Sequence, residues 1–429
     1  MKVDRLGQLL EGFELQLRDA DRAWVAYSGG LDSTVLLHAA VRILGAEKVV
    51  ALHLNHRLQV ESDEWQIKCQ QECESLGVEF RSEILKVSNK GNGVEEAARQ
   101  LRYQFFRNNL AQGDVLLLGH HADDQAETLL YRLFRGSGAR GLAAIPQERR
   151  EGLGLLVRPL LSRTKEELKQ LALESKINWI EDPSNLEIGY DRNYIRQNVL
   201  PTILDRWPKA NLTLGRAASN LRAASNLLDE YSELLLEGCN WRKEIYGSSF
   251  DISSYLLLSE AAQALLLEQA LVQLGLNGFD STYRLKVATA IDASRGAMPL
   301  VQAGKSEMRR YTGRLYLMPK IPELATETIK LQWSGKEVIE IKGCGELMPL
   351  EHYSGEVLSL SFRHGGERCK PLGRDKSQSL KKLMLEYGLV PWLRDRVPLV
   401  WRNDELIAVA GVFSCDPEIN VPKIIWNTG

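Results

Sequence analysis

The chain has 429 residues, 44% of them hydrophobic and 26% charged, with a formal net charge of −2. That length exceeds one ordinary core and calls for two or three domains; the composition excludes a disordered or fibrous chain, and the charge excludes a uniformly basic nucleic-acid binder. No apolar run is long enough to cross a bilayer, and Met1–Leu10 lacks the apolar stretch of a signal peptide, so a cytoplasmic protein with no membrane partner is expected.

Residues 23–119 alternate between short apolar runs and helical patterns. Ala23–Tyr27 reads as a strand, Thr34–Leu44 as a helix, Val49–Leu54 as a strand and Asp63–Leu76 as a helix. Val78–Ile84, the amphipathic Val94–Leu110 and the apolar Val115–Gly119 continue the series. Such alternation predicts an α/β domain with a parallel sheet covered on both faces, with ligands beyond the carboxyl ends of its strands. Thr164-Lys165-Glu166-Glu167 is a capping box opening a further helix, and Pro201 and Pro208 are expected to break the pattern. From Leu212 to Leu274 leucine and alanine recur at helical spacing, Met308–Met318 reads as strand and turn, and short strands with glycine turns follow residue 328. The expected order is a parallel-sheet α/β domain (1–212), a helical domain (213–318) and a small mixed α/β domain (329–429). Six cysteines, at 69, 73, 239, 344, 369 and 415, form no Cys-x-x-Cys pair, and Cys69 and Cys73 are read as ordinary thiols on one helix face.

The strongest local signal is Ser28-Gly29-Gly30-Leu31-Asp32-Ser33, between an apolar strand and a helix. A helix start leaves backbone N–H groups unpaired, its dipole adds positive potential, and glycines allow close approach, so the loop is an anion cradle. Ser28 and Ser33 add hydroxyls. Asp32 would be repelled by bare phosphate, so it acts either as a Mg²⁺ bridge or as a structural cap. The loop is not a Walker loop, which needs a lysine before its Ser/Thr.

The second constellation is His120-His121-Ala122-Asp123-Asp124-Gln125-Ala126-Glu127-Thr128. Asp124 and Glu127, three apart, share a helix face, as do Asp123 and Glu127. These carboxylates suit Mg²⁺ or a cationic substrate, and His120 suits a phosphate contact or proton transfer. Two basic clusters offset the near-zero net charge: Leu130–Glu166 has eight Lys/Arg against three Asp/Glu, and Arg363–Lys382 seven against two.

The hexapeptide loop resembles that of the N-type ATP pyrophosphatases (the PP-loop family), which cleave ATP between its α and β phosphates. With the second constellation, Arg135-Gly136-Ser137-Gly138, Arg158-Pro159-Leu160-Leu161, Trp179–Asn185, Asp191-Arg192-Asn193, Glu95 and Arg99–Tyr103, the chain is similar to the tRNA(Ile)-lysidine synthetases, most densely over residues 25–200. The similarity returns over Arg363–Cys415. One departure is Arg57, in His53-Leu54-Asn55-His56-Arg57-Leu58, where the family often has glycine.

The resemblance implies an ATP- and Mg²⁺-dependent ligase. ATP would adenylate the C2 oxygen of the wobble cytidine in isoleucine tRNA with a CAU anticodon, and the ε-amine of free L-lysine would displace AMP. It implies that Ser28–Ser33 hold pyrophosphate with Asp32 on the metal, and that Asp32, His120, Asp124, Glu127 and Arg192 serve catalysis. Arg99, Asp123, Asp124, Glu127 and Arg192 would bind substrate, and Arg363, Arg368, Lys370, Lys381 and Lys382 the tRNA. Either His120 or a carboxylate would take the proton of the amine. A tRNA thiolase, which generally needs catalytic cysteines, and a non-catalytic RNA-binding protein are the competing readings.

Overall fold

The computed structural model describes residues 4–57, 61–85, 94–181, 191–276, 281–292, 298–323, 331–351, 353 and 355–426. Packing divides the chain into two compact units, Met1–Leu227 and Leu228–Gly429.

The first unit is built on six strands: β1 (Ala23–Ala26), β2 (Val49–Asn55), β3 (Glu79–Ile84), β4 (Val115–Leu117), β5 (Glu148–Glu151) and β6 (Gly154–Val157), in the order β3-β2-β1-β4-β6-β5. All neighbours are parallel except β5, which turns back antiparallel along β6. Val25 pairs with Ala51 on one side and Leu117 on the other. Successive residues of a strand point to opposite faces, so the apolar runs feed two layers. Val25, Ala51, Leu117 and Val157 enter one layer, while Trp24, Leu52, Leu116 and Leu156 enter the other. Burial on both faces is why these strands read as continuous apolar runs.

Helices α1 (Glu14–Asp19), α2 (Leu31–Leu44), α3 (Ser62–Leu76), α4 (Val94–Asn109), α5 (Ala122–Phe134), α6 (Ala139–Leu142) and α7 (Lys165–Glu174) accompany the sheet. The Thr164 capping box holds: its hydroxyl accepts from Glu167 N, and the Glu167 carboxylate accepts from Thr164 N at 2.7 Å. Cys69 and Cys73 face the core of α3, fully buried.

Pro201 does not end the helical pattern. The chain runs from α8 (Asp191–Tyr194) through a π-helical turn (Ile195–Val199) into α9 (Leu200–Arg206). Proline lacks an N–H and its ring crowds the carbonyl four residues back; the wider turn accommodates both. Pro208 does interrupt, and α10 (Ala210–Gly238) starts beyond it.

The second unit contains the end of α10, then α11 (Ile252–Leu256), α12 (Glu260–Gln273) and α13 (Ser281–Asp292). These helices accompany a five-stranded antiparallel sheet: β7 (Arg242–Lys243), β8 (Ser248–Asp251), β9 (Leu300–Ala303), β10 (Ser306–Tyr311) and β11 (Arg314–Pro319). Only the β10–β11 hairpin was foreshadowed, by Met308–Met318. The C-terminal part is small and mixed α/β. Its described residues form the short strands β12 (Leu331–Trp333), β13 (Ile339–Ile341), β14 (Gly345–Leu347), β15 (Leu358–Ser361), β16 (Arg368–Cys369), β17 (Gln378–Ser379), β18 (Leu399–Arg402), β19 (Glu405–Val409), β20 (Phe413–Ser414) and β21 (Ile424–Trp426), with α14 (Leu380–Glu386). Trp333, Leu383 and Val400 are among the residues of its core.

Candidate active site

The switch point of the sheet lies between β1 and β4, whose following loops run to α2 and α5; an open α/β sheet binds ligands beyond its strand ends at such a crevice. Gly29, at φ +83°, makes the first turn, and a Cβ there would lie 2.7 Å from Cys69 Sγ and 2.8 Å from Ile180 Cδ1. Ser33 Oγ donates to Gly30 O at 3.0 Å and accepts from Ser28 N at 3.2 Å, so the hydroxyls brace the cradle. Thr34 Oγ1 donates to Gly30 O at 2.8 Å. Gly119 ends the β4 segment, where a Cβ would sit 3.2 Å from both Asp32 C and Ser33 N. The second loop can therefore pass directly against the start of α2.

That contact gathers the acids. His121 caps α5: its Nδ1 accepts from Asp123 N at 3.2 Å, and Asp124 Oδ2 accepts from His121 N at 2.9 Å. His121 Nε2 lies 3.6 Å from Asp32 Oδ2 and 3.5 Å from Asp124 Oδ2. Burial disfavours a charged ring, but Asp124, Asp123 and Asp32 outweigh it and push His121 up to about 9. Cap and second proton thus compete for Nδ1. Asp32 is raised, chiefly by burial, and its Oδ1 is buried with no hydrogen-bond partner among the described residues.

Asp123 is occupied by the protein itself, accepting from Lys165 N at 2.9 Å and Asn211 Nδ2 at 3.2 Å. Burial opposes its charge, but these bonds and His121 hold its carboxyl down at about 2. Glu127 is 3% exposed and is met by Arg196 in a two-pronged pair, Nε–Oε1 2.6 Å and Nη2–Oε2 2.8 Å. Arg196 Nη2 also reaches Asp124 Oδ1 at 3.3 Å. Burial raises Glu127 while Arg196 pulls it back. The π-turn delivers Arg196 to this position.

His120 has a different neighbour. Arg158, 2% exposed, donates from Nε to His120 Nδ1 at 3.2 Å, from Nη1 to Pro146 O at 2.8 Å and from Nη2 to Tyr103 Oη at 3.3 Å. Burial, together with Arg158, Arg99 and Arg102 against an opposing pull from Asp124, pushes His120 down to about 3. The bond from Arg158 occupies the Nδ1 lone pair, so the neutral ring carries its proton on Nε2. His120 is built as a hydrogen-bond donor, not as a proton acceptor.

Two cavities flank these residues. The first, about 490 Å³, is lined by Tyr27, His53, His56, Arg102 and His120 among others; the second, about 930 Å³, by Glu127, Lys165, Trp179, Arg196 and others. Ser28, Gly30, Asp32, Trp65 and Asp124 line both. Among the described residues no thiol lines either, and burial pushes Cys69 and Cys73 up to about 12. Arg99 and Arg192 do not line them. Arg99 lies over the Tyr103 ring at 5.3 Å, and Arg192 Nη2 donates to Thr128 Oγ1 at 2.6 Å. Arg102 and Arg196, three and four residues further along, line the walls instead. The sequence motifs included Arg102, His121 and Arg158 without giving them a role, and they left out Arg196 and Trp65; the spacing Arg192–Arg196 was the available signal for Arg196. Asp182–Asn185 and Leu58 lie outside the described residues.

Arg57 adopts φ 49°, the conformation a glycine would take there, with its N donating to Asn55 Oδ1 at 2.9 Å. His53 Nδ1 lies 2.9 Å from Tyr27 O, and both ring nitrogens of His56 are buried without partners among the described residues. In the second unit, Arg363 pairs with Asp395 at 3.2 Å and Lys382 with Glu386 at 3.6 Å. Arg368, Lys370, Lys381 and Lys382 are exposed.

A glycine loop bracing a helix start, at the switch point of a parallel sheet, defines a PP-loop nucleotide-binding domain, and residues 3–203 match the PP-loop domain family. Residues 358–422 match the TilS substrate C-terminal domain. Among curated relatives, tRNA(Ile)-lysidine synthase from Pseudomonas aeruginosa is 38% identical over 420 residues, 96% of this chain and 94% of that one. The enzyme of the same name from Coxiella burnetii is 35% identical over 408 residues, 91% of this chain and 89% of that one. The chain belongs to the tRNA(Ile)-lysidine synthase family, and its PP-loop domain marks it as an ATP-using ligase.

Proposed function

We propose that this protein joins free L-lysine to C2 of the wobble cytidine of a CAU-anticodon isoleucine tRNA, through an adenylated intermediate, in the cytoplasm. The observation that carries the reading is the pair of cavities meeting on the shared wall of Ser28, Gly30, Asp32, Trp65 and Asp124. ATP occupies the first cavity, with its phosphates on the α2 start. Cytosine and lysine occupy the second, where its acids receive the ammonium groups.

Among the described residues no group of three or more His, Cys, Asp or Glu side chains is arranged to hold a metal. Mg²⁺ does not need one, because it commonly binds one or two carboxylates plus substrate phosphates. The unpartnered Asp32 Oδ1 fits that role. When bound, Mg²⁺ neutralises charge on the leaving pyrophosphate. The N–H groups at the α2 start orient the same phosphates, and His120 donates from Nε2 into the first cavity. Deprotonation of the lysine amine falls to the carboxylates of the second cavity, since the His120 Nδ1 lone pair is taken. Arg196 pairs with Glu127 and Asp124 until lysine arrives, and Asp123 keeps α5, α7 and α10 in place. Arg99 and Arg192, both close enough to Arg132 to act on its charge, contact the RNA backbone, as do Arg363, Arg368, Lys370, Lys381 and Lys382.

The test is a product assay with purified protein, ATP, radiolabelled lysine and total tRNA. Label should enter one tRNA species, and Asp32→Ala should abolish most AMP release while leaving the fold intact. Label in no RNA, or near-normal AMP release by the folded variant, would overturn the assignment.

A further inference from the structure

Beyond the two cavities, the corner between α9 and α10 carries a third opening of about 620 Å³, lined by Ile203, Arg206, Trp207, Lys209, Thr213 and Leu214 among others. Trp207 closes α9 through its backbone, donating N–H to Ile203 O at 2.8 Å, yet 61% of the residue is exposed. A lone surface aromatic is ordinary, but this indole borders Leu130, Ile203, Pro208, Ala210 and Leu214, a continuous apolar lining rimmed by cations, which is the form interaction sites take. The Arg206 guanidinium stands 5.9 Å over the indole ring, Lys209 follows it, and among the described residues no carboxylate lines the groove. An aromatic face with cations beside it and no acid suits an unpaired nucleobase with its phosphate. Position supports the same occupant. Leu200, Pro201 and Leu204 of α9 line the second cavity, while Ile203, Arg206 and Trp207 line the groove. At 1.5 Å rise per residue, Trp207 lies about 10 Å along the helix from the start of α9.

We infer that Trp207 is a stacking platform for an unpaired nucleotide flanking the one that enters the second cavity, with Arg206 and Lys209 pairing with its phosphates. The inference rests on the proposed RNA substrate and adds a residue that holds it. Stacking on an aromatic is worth about 1–3 kcal/mol per base, or roughly 5- to 150-fold in affinity.

The experiment uses the full-length protein and an anticodon stem-loop RNA, intact or abasic at single loop positions, and measures equilibrium binding alongside lysine incorporation. Trp207→Ala should weaken binding of the intact RNA at least fivefold and raise its KM, leaving the KM for ATP and kcat nearly unchanged. Trp207→Phe should restore most of the loss. One abasic loop RNA should bind wild type as weakly as Trp207→Ala binds the intact loop, with no further loss when both changes are combined. Unchanged affinity in Trp207→Ala, or additive losses with every abasic RNA, would overturn the inference. So would a change confined to self-association in sedimentation. Failure of wild type to incorporate lysine while the stacking effect on binding persists would instead overturn the proposed reaction.

Discussion

Replacing Arg196 by methionine removes the positive charge that faces Glu127 in two bonds of 2.6 and 2.8 Å and Asp124 in a third of 3.3 Å. Glu127 is 3% exposed, so its carboxylate would be left buried and unpaired. Breaking a buried pair from one side costs about 3–5 kcal/mol. The Arg196 side chain is 37% exposed, so solvent already screens part of the attraction, and a loss of about 2–3 kcal/mol is expected here. The loss is local, so the assay is native-state hydrogen exchange of the α5 amides, which should quicken by roughly 30- to 150-fold. The pH dependence has a definite sign. Burial raises Glu127 and Arg196 opposes that rise, so without Arg196 the folded-state pKa climbs further above the unfolded one. Between those two values the native state binds the extra proton, and stability falls as pH rises. The variant should therefore be more protected at pH 5 than at pH 8. Glu127→Gln in the same chain should recover most of the loss. A change in exchange below about threefold, or no pH dependence, would refute the account of Arg196 as counter-ion.

Three further outcomes follow from particular residues. Arg57→Gly should stabilise by about 0.5–1 kcal/mol, because relief of a left-handed conformation exceeds the added chain entropy and the Arg57–Asp63 pair is exposed; a lower melting temperature would contradict this. His120 is pushed down to about 3, so only the unfolded chain takes its proton between pH 6.5 and 3, and stability is lost as pH falls through that window. His120→Asn, which keeps an acceptor for Arg158, should make the acid side of the stability profile shallower, leaving the share due to His53 and His56; an unchanged profile would count against the neutral ring. Charge reversal at Lys381 and Lys382 should lessen the salt dependence of tRNA binding by about 0.9 in log–log slope per lost phosphate contact, without changing which tRNA is selected; an unaltered slope would make them a solvated face.

Legibility followed burial and locality. Strands β1, β2 and β4 were readable because both their faces are covered. The Glu148-Arg149-Arg150-Glu151 edge strand was not, since three of its four residues face solvent and nothing in them alternates. The five-stranded sheet of the second unit escaped for a related reason: leucine-rich helices dominate the periodicity around Ser248–Asp251. In the site, Ser28–Ser33 and His120–Glu127 were legible because glycines and acids stand next to one another in sequence. Arg196 was not, because its bond to Glu127 spans 69 positions, and no local pattern encodes such a pairing. Gly119 was visible only as the end of a strand. Its part in letting β4 pass against α2 required the fold.

The π-turn over Ile195–Val199 makes residue count, as well as residue type, a determinant of the site. Each residue in a helix turns the chain by about 100°, so deleting Asn198 would rotate Arg196 and everything before it relative to the anchored Leu200 and Pro201. Composition and charge would hardly change, yet the guanidinium would face away from Glu127. Asn198 is exposed, with its side chain 3.4 Å from Tyr194 O, so a library of point substitutions should record it as permissive. A library of single-codon deletions should record the same position as intolerant. The gap between the two libraries would measure what the inserted residue contributes.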